Sequence, residues 1–199
     1  MKRYVVGITG ASGSMCARSV LRHLARHPDV ERIHAVLSQY SLQTMSVELG
    51  RTVKDEAEGL RLLLGGETGE RVVLHRSSDM AGAISSGSYP TDGMVVVPCS
   101  GGTLAAIANG TSSNLLHRAA EVTLKERRPL VLAFRETPVS LVHIDNMARA
   151  TRAGAMVFPL TPAFYNRPQG LEEIVEHFTA RIFDLLRLPH TLGKRWGTD

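Results

Sequence analysis

The first twenty-seven residues leave few folds open to this chain. Residues 4–8, Tyr-Val-Val-Gly-Ile, form a short β-branched run, and the following loop Gly7-Ile8-Thr9-Gly10-Ala11-Ser12-Gly13 spaces its glycines three apart. Residues 14–27 then place Ala17, Val20, Leu21 and Leu24 at helical spacing, so strand, tight loop and helix follow in order. A second strand is expected at 33–37. Two strands separated by a helix should lie parallel, joined by a right-handed crossover. A chain that begins this way is committed to a layered α/β arrangement.

The remainder keeps the alternation. Residues 39–49 are expected to be helical, and 94–97 (Met-Val-Val-Val) a fully apolar strand ending at Pro98. A helical stretch over 103–125 is broken near Asn109-Gly110, and a buried strand follows at 130–134. A helix over 140–152 and a strand over 155–158 that stops at Pro159 come next. The final helix carries Leu171, Ile174, Val175, Phe178, Ile182, Leu185 and Leu186 as one apolar stripe. Residues 50–92 show no clear period, and Gly65-Gly66 and Ser85-Ser86-Gly87-Ser88 mark loops there. The expected fold is a Rossmann-like (flavodoxin-like) three-layer, doubly wound α/β domain over residues 1–199, with ligands at the carboxyl ends of a mostly parallel sheet.

Composition narrows the function classes. At 199 residues and 43% hydrophobic, the chain is of a size to bury one core. Its apolar runs are strand-length, far short of the roughly 20 residues of a membrane-spanning helix. The opening Met1-Lys2-Arg3 is followed by an apolar run cut by Gly7, Thr9, Gly10 and Ser12, so export is not expected, and two isolated cysteines suit a reducing, cytoplasmic setting. A net charge of +4 is spread among acidic residues, and aromatics at 5% form no stacking series, so no nucleic-acid partner is expected. Histidines 23, 27, 34, 75, 117, 143, 177 and 190 make no H-E-x-x-H or Cys/His cluster, and no metal site is expected.

The chemistry concentrates in loops that follow strands. Small residues at 10–13 let an anion or an electron-rich ring approach the backbone, and the next helix aims its amino-terminal amides at it. The spacing is not G-x-G-x-x-G, and Ser38 stands where a dinucleotide-binding protein carries an acid for the ribose, which disfavours NAD. No Walker-type G-x-x-x-x-G-K-S/T sequence occurs. Pro98-Cys99-Ser100-Gly101-Gly102-Thr103 repeats the cradle, with Ser100 or Thr103 also able to cap the helix. Arg135-Glu136 closes an apolar strand and pairs an anion clamp with an acid/base. Lys125, Arg127 and Arg128 resemble a solvated charge run, Tyr165 lies in a proline-bracketed loop, and Arg181 borders the last apolar stripe. Cys99 has no partner base in the surrounding sequence and is not assigned as a nucleophile.

Taken in order, Val6 to Gly13, Ile84-Ser85-Ser86-Gly87-Ser88, Val97-Pro98-Cys99-Ser100 with Thr103, Arg118-Ala119-Ala120, the run from Leu124 to Leu132, Arg135-Glu136-Thr137-Pro138, Pro162-Ala163-Phe164-Tyr165 and Arg195-Trp196 resemble one family. That family is the UbiX-type flavin prenyltransferases, including the branch associated with aromatic-acid decarboxylases, and the resemblance spans essentially the whole chain. It implies transfer of a dimethylallyl group from dimethylallyl monophosphate to reduced FMN, the product serving a UbiD-type decarboxylase.

By the same resemblance, Gly10, Ala11, Ser12, Ser38, Ser100, Gly101, Gly102, Thr103 and Arg135 hold FMN, with Ser12 near the reactive central-ring nitrogen. Lys125, Tyr165, Arg181 and Arg118 bind the substrate phosphate, and cations with a phenol hydroxyl there ease the departure of that phosphate. Glu48 and Glu136 match the family's functional carboxylates, Glu136 being assigned to proton transfer. Trp196 matches an aromatic that stabilises the allylic cation. The resemblance also implies a homo-oligomer, a dodecamer with sites between subunits.

Cys16 and Gln39 depart from the tyrosine and lysine usual in the family. Two alternatives carry different signatures. A decarboxylase of the phosphopantothenoylcysteine type should show a His after the first loop and a P-x-M-N-x-x-M-W segment, both absent here. A non-catalytic FMN-binding carrier subunit would have no use for a second phosphate site.

Overall fold

The computed structural model describes residues 1–65, 69–193, 195 and 197. Strands β1 (Lys2–Ile8), β2 (Val30–Leu37), β3 (Val72–His75), β4 (Gly93–Cys99), β5 (Leu130–Phe134) and β6 (Met156–Pro159) form one sheet in the order β3-β2-β1-β4-β5-β6. Every neighbouring pair is parallel. The helices are α1 (Ser14–Arg26), α2 (Gln39–Glu48), α3 (Glu56–Leu64), α4 (Gly101–Ala108), α5 (Leu115–Lys125), α6 (Leu141–Arg152) and α7 (Leu171–Leu185). This is the doubly wound, Rossmann-like arrangement that the alternating pattern predicts.

Because successive strand side chains point to opposite faces, β1 feeds two cores. Tyr4, Val6 and Ile8 pack with Val20, Leu21 and Leu24 of α1, Leu63 of α3 and Phe183 of α7. Val5 joins Met94 and Val96 on the other face, under Leu104, Leu116 and Ala120 of α4 and α5. Leu24 is fully buried, and burying a leucine contributes roughly 1.5–3 kcal/mol, so Leu24→Ala should cost roughly 2–5 kcal/mol once the cavity is included. Gly7 is required by the second face: a Cβ there would lie 2.9 Å from Leu116.

The winding sets the site. From β1 the chain moves outward to β2, and from the adjacent β4 it moves the opposite way to β5, so the loops after β1 and β4 diverge at the carboxyl edge and leave a crevice between them.

Two regions differ from the sequence reading. α3 and β3 occupy part of the region that showed no period. Nine residues interrupted by Gly59, and a four-residue edge strand, are too short for a periodic signal. Gly59 is there for packing, since a Cβ would lie 2.8 Å from Met45. β4 continues through Pro98 to Cys99 instead of ending at the proline. The β4–β5 register shifts between Val96 and Cys99, so the ladder does not require the amide that Pro98 lacks. The break expected near Asn109-Gly110 is present and divides the 103–125 stretch into α4 and α5, each started by its own cap, Ser100 and Asn114. No helix among the described residues is long and apolar enough to cross a membrane.

Candidate active site

The two diverging loops are stitched together by one hydroxyl. Thr9 Oγ1 donates to the Pro98 carbonyl at 2.8 Å and accepts the Ser100 amide at 2.9 Å. Thr9 is buried, so both bonds are shielded from water. The Gly10–Gly13 loop and the start of α4 therefore form one rigid rim.

Within that rim the first anion cradle is altered from the sequence expectation. The amides of Gly13 and Ser14, which open α1, are each taken at 2.8 Å by the carboxylate of Glu48, the last residue of α2. Burial works to raise the Glu48 carboxyl. Hydrogen bonds from the Ser12 and Ser14 hydroxyls and from the Ser14 and Gly13 amides outweigh it and hold the group below the usual carboxylate range. The protein thus supplies its own anion to the α1 dipole, and the Ser12 hydroxyl beside Glu48 helps to hold that carboxyl low. Gly10 permits this closure: a Cβ there would lie 2.7 Å from Tyr40 Cβ, so α2 can approach only a glycine. Ser38 caps α2, its Oγ accepting the Ser41 amide at 3.2 Å.

On the other side of the crevice Ser100 caps α4, its Oγ accepting the Thr103 amide at 3.3 Å while donating to Thr103 Oγ1 at 3.2 Å. Both the capping and the ligand readings of this loop remain compatible, because a Cβ added at Gly102 would meet nothing within 4 Å and the first turn of α4 is open. Arg135 and Glu136 are exposed at the end of β5, and the Arg135 amide bonds the Cys99 carbonyl at 3.1 Å, fixing the two loop starts side by side. Hydroxyls of Ser38, Ser100 and Thr103, the loop amides at 10–12, an open helix start and the Arg135 guanidinium suit a ligand with a phosphate, a polyol and a flat ring edge. FMN fits that donor set.

The residues assigned to the substrate phosphate are not brought together within one chain. Tyr165 sits in a short 3-10 turn, Phe164–Asn166, beyond the carboxyl end of β6, and is 62% exposed. Lys125 is the last residue of α5 and leads into the amino end of β5, at the opposite edge of the sheet. The five residues of β5 separate the two edges by about 17 Å. Lys125 pairs with Glu126. Arg118, two turns earlier on α5, pairs with Glu121 at 3.1 Å and donates to the Ser85 carbonyl at 3.2 Å. Arg181 lies on α7, in the other helical layer, and pairs with Asp184 at 2.6 Å. Trp196 lies outside the described residues.

The sequence reading attached no role to His143, although Ser140-x-x-His143 has the spacing of a capping box. Ser140 Oγ accepts the His143 amide at 3.3 Å, and His143 Nδ1 accepts the Ser140 amide at 3.1 Å. This turns the imidazole toward Gly101 and Glu136. Cys99 is fully buried, and burial pushes its thiol up, leaving it protonated and inert. Among the described residues no group of three His, Cys, Asp or Glu could hold a metal.

Comparison with known proteins places the chain. The flavoprotein family model matches residues 1–181. Flavin prenyltransferase LpdB of Lactiplantibacillus plantarum is 41% identical over 199 residues, all of both chains. The crystal structure of AnUbiX (PadA1) in complex with FMN and dimethylallyl pyrophosphate superposes with a TM-score of 0.86 at 41% identity, covering 100% of this chain and 98% of that one. A dodecameric FMN-dependent UbiX-like decarboxylase from Escherichia coli O157:H7 gives a TM-score of 0.85 at 39% identity, with 98% of each chain covered.

Proposed function

The chain belongs to the flavoprotein family and, within it, to the UbiX-type flavin prenyltransferases, and from that premise we propose that it transfers a dimethylallyl group from dimethylallyl monophosphate to reduced FMN. The observation that carries this reading is the crevice at the switch point. There the Thr9-stitched loops bring the Ser12–Glu48 pair, the open start of α4 and the Arg135-Glu136 dipeptide to one edge of the sheet.

Bound reduced FMN supplies the electron-rich ring nitrogen that is alkylated. The chain's own residues have separable tasks. Gly10, Ala11, Ser12, Ser38, Ser100, Gly101, Gly102, Thr103 and Arg135 hold and orient the flavin. Ser12, whose hydroxyl helps to hold the Glu48 carboxyl low, takes the position near the reactive ring nitrogen. Glu136 moves a proton at its carboxylate. Lys125, Tyr165, Arg181 and Arg118 neutralise the phosphate as it leaves, an electrostatic role that grows with the charge on the leaving oxygen. Trp196 offers a ring face to the allylic cation.

Because Lys125 stands at the far edge of its own sheet, we propose that the phosphate site is completed by a neighbouring copy in a homo-oligomer, a dodecamer like the relative above. The enzyme so described is a single FMN-binding domain that works in the cytoplasm and hands its product to a UbiD-type decarboxylase.

The test is the coupling of two substrates. Inorganic phosphate should be released from dimethylallyl monophosphate only when dithionite-reduced FMN is present. Equal release without flavin would make the protein a phosphatase, and no release under any condition would favour a carrier subunit.

A further inference from the structure

We propose that His143 is a positioning residue for Glu136: its Nε2–H is the donor that holds the free carboxylate oxygen of Glu136 across the space above Gly101. The proposal rests on Glu136 being the proton-transfer group, and it is built from three segments that are distant in sequence.

The first is the amino-terminal turn of α6. His143 Nδ1 accepts the Ser140 amide at 3.1 Å, and a nitrogen that accepts from an amide carries no proton, so in the neutral ring the hydrogen sits on Nε2. The capping box therefore fixes the tautomer as well as the direction of the ring. Phe134, at the end of β5, supports the imidazole with ring centroids 6.0 Å apart.

The second is the loop after β5. Glu136 Oε1 accepts the Thr137 amide at 3.2 Å, which anchors one oxygen and leaves Oε2 as the available acceptor. The third is the start of α4. A Cβ built on Gly101 would lie 2.9 Å from His143 Nε2 and 3.7 Å from Glu136 Oε2. The donor and the acceptor thus converge on one point, kept open because residue 101 has no side chain. Neither atom has another hydrogen-bond partner among the described residues. The two lie beyond direct hydrogen-bond distance, and a donor and an acceptor facing a common gap at the mouth of the crevice are arranged to engage through one water.

The consequence is specific. With the Nε2–H directed toward it, the Glu136 side chain is held in one orientation, its Oε2 accepting. His143→Glu separates this role from a structural one. Glutamate at the third helical position of a Ser-led capping box keeps the cap, but it replaces the donor with a second negative charge. The variant should unfold at the wild-type temperature.

In FMN-free protein carrying isotope-labelled glutamate, the Glu136 carboxyl, assigned by its loss in Glu136→Gln, should titrate about one pH unit higher in His143→Glu than in wild type. Prenylation at pH 7 should slow by about tenfold or more, with the KM for dimethylallyl monophosphate little changed and the acidic limb of the pH–rate profile moved upward. His143→Gln, whose amide can both cap and donate, should regain most of that rate. An unmoved Glu136 titration and an unmoved pH–rate profile in a folded His143→Glu variant would overturn the proposal. Wild-type turnover in Glu136→Gln would instead remove Glu136 from the chemistry, while the titration in FMN-free protein would still decide whether the two side chains are paired.

Discussion

The carboxylate of Glu48, at the end of α2, accepts the backbone N–H of Ser14, at the start of α1, at 2.8 Å. Its other oxygen takes Gly13 at the same distance, so the positive end of α1 is satisfied from within the protein. A phosphate has no vacancy on those two amides. Across the crevice the first turn of α4 stays open, since a Cβ at Gly102 would meet nothing within 4 Å.

Removing this clamp should be visible in stability. Glu48→Ala is expected to lose about 1 kcal/mol at pH 7, the two charge-assisted bonds being discounted for the exposure of Glu48. The folded carboxyl is depressed below its usual value of 4.5, so its stabilisation is fully present above that pH and is lost as pH falls through the folded value. Urea unfolding of wild type and variant should therefore differ at pH 7 and converge in strong acid. A difference that stays constant with pH would mean that the carboxylate charge contributes nothing.

Two glycine substitutions should separate folding from cofactor binding. Gly10→Ala places a methyl 2.7 Å from Tyr40 and should be destabilising as well as poor at binding FMN. Gly102→Ala meets nothing within 4 Å of the chain itself and should leave stability unchanged, yet weaken FMN binding by about tenfold or more if the flavin passes over α4. Fluorescence titration with FMN measures both. Wild-type affinity in Gly102→Ala would move the flavin away from this helix.

The separation of Lys125 from Tyr165 and Arg181 predicts complementation. Lys125→Ala and Arg181→Ala should each be nearly inactive as pure proteins. When the two are co-expressed in one cell, mixed oligomers should regain part of the activity, because some shared sites then receive Lys125 from one subunit and Arg181 from another. Failure to regain activity in verified mixed oligomers would place both residues in the same subunit's site.

A half-buried chain of hydrogen bonds sets an acid limit. His34 Nδ1 meets His75 Nε2 at 2.9 Å, and Tyr89 Oη meets His34 Nε2 at 3.0 Å. Burial, together with His75, Arg32 and Arg3, pushes His34 down to about 4, and burial also lowers His75 despite Asp79. Both histidines must be neutral in the fold, so their contribution is complete above pH 6.5 and is lost progressively as pH falls from 6.5 toward 4. Thermal unfolding across that window should steepen in wild type and flatten in His34→Gln. Parallel curves would assign the acid sensitivity to other groups.

Much of this site is legible in the sequence, and the reasons differ by residue. Gly10, Ser38, Ser100 and Arg135 each follow a strand, and in a parallel sheet every such position falls on one edge. Strand order therefore turns a linear pattern into a place. Glu48 could be matched to a family pattern, but its grip on Gly13 and Ser14 depends on how α2 folds back, which no local spacing encodes. His143 was hidden because its signal is a capping box with histidine in the place of the usual Glu or Gln. Lys125, Tyr165 and Arg181 show the limit most plainly: their chemistry is readable residue by residue, but the fold of one chain keeps Lys125 at the opposite edge from Tyr165.

Joining of a prenyl group to the flavin itself is read from the mass of the flavin released after anaerobic incubation of the protein with dithionite-reduced FMN and dimethylallyl monophosphate. A flavin heavier by one prenyl unit is expected, lost in Lys125→Ala and slowed in Glu136→Gln. Recovery of unmodified FMN alone from the folded, FMN-binding wild-type protein would contradict it.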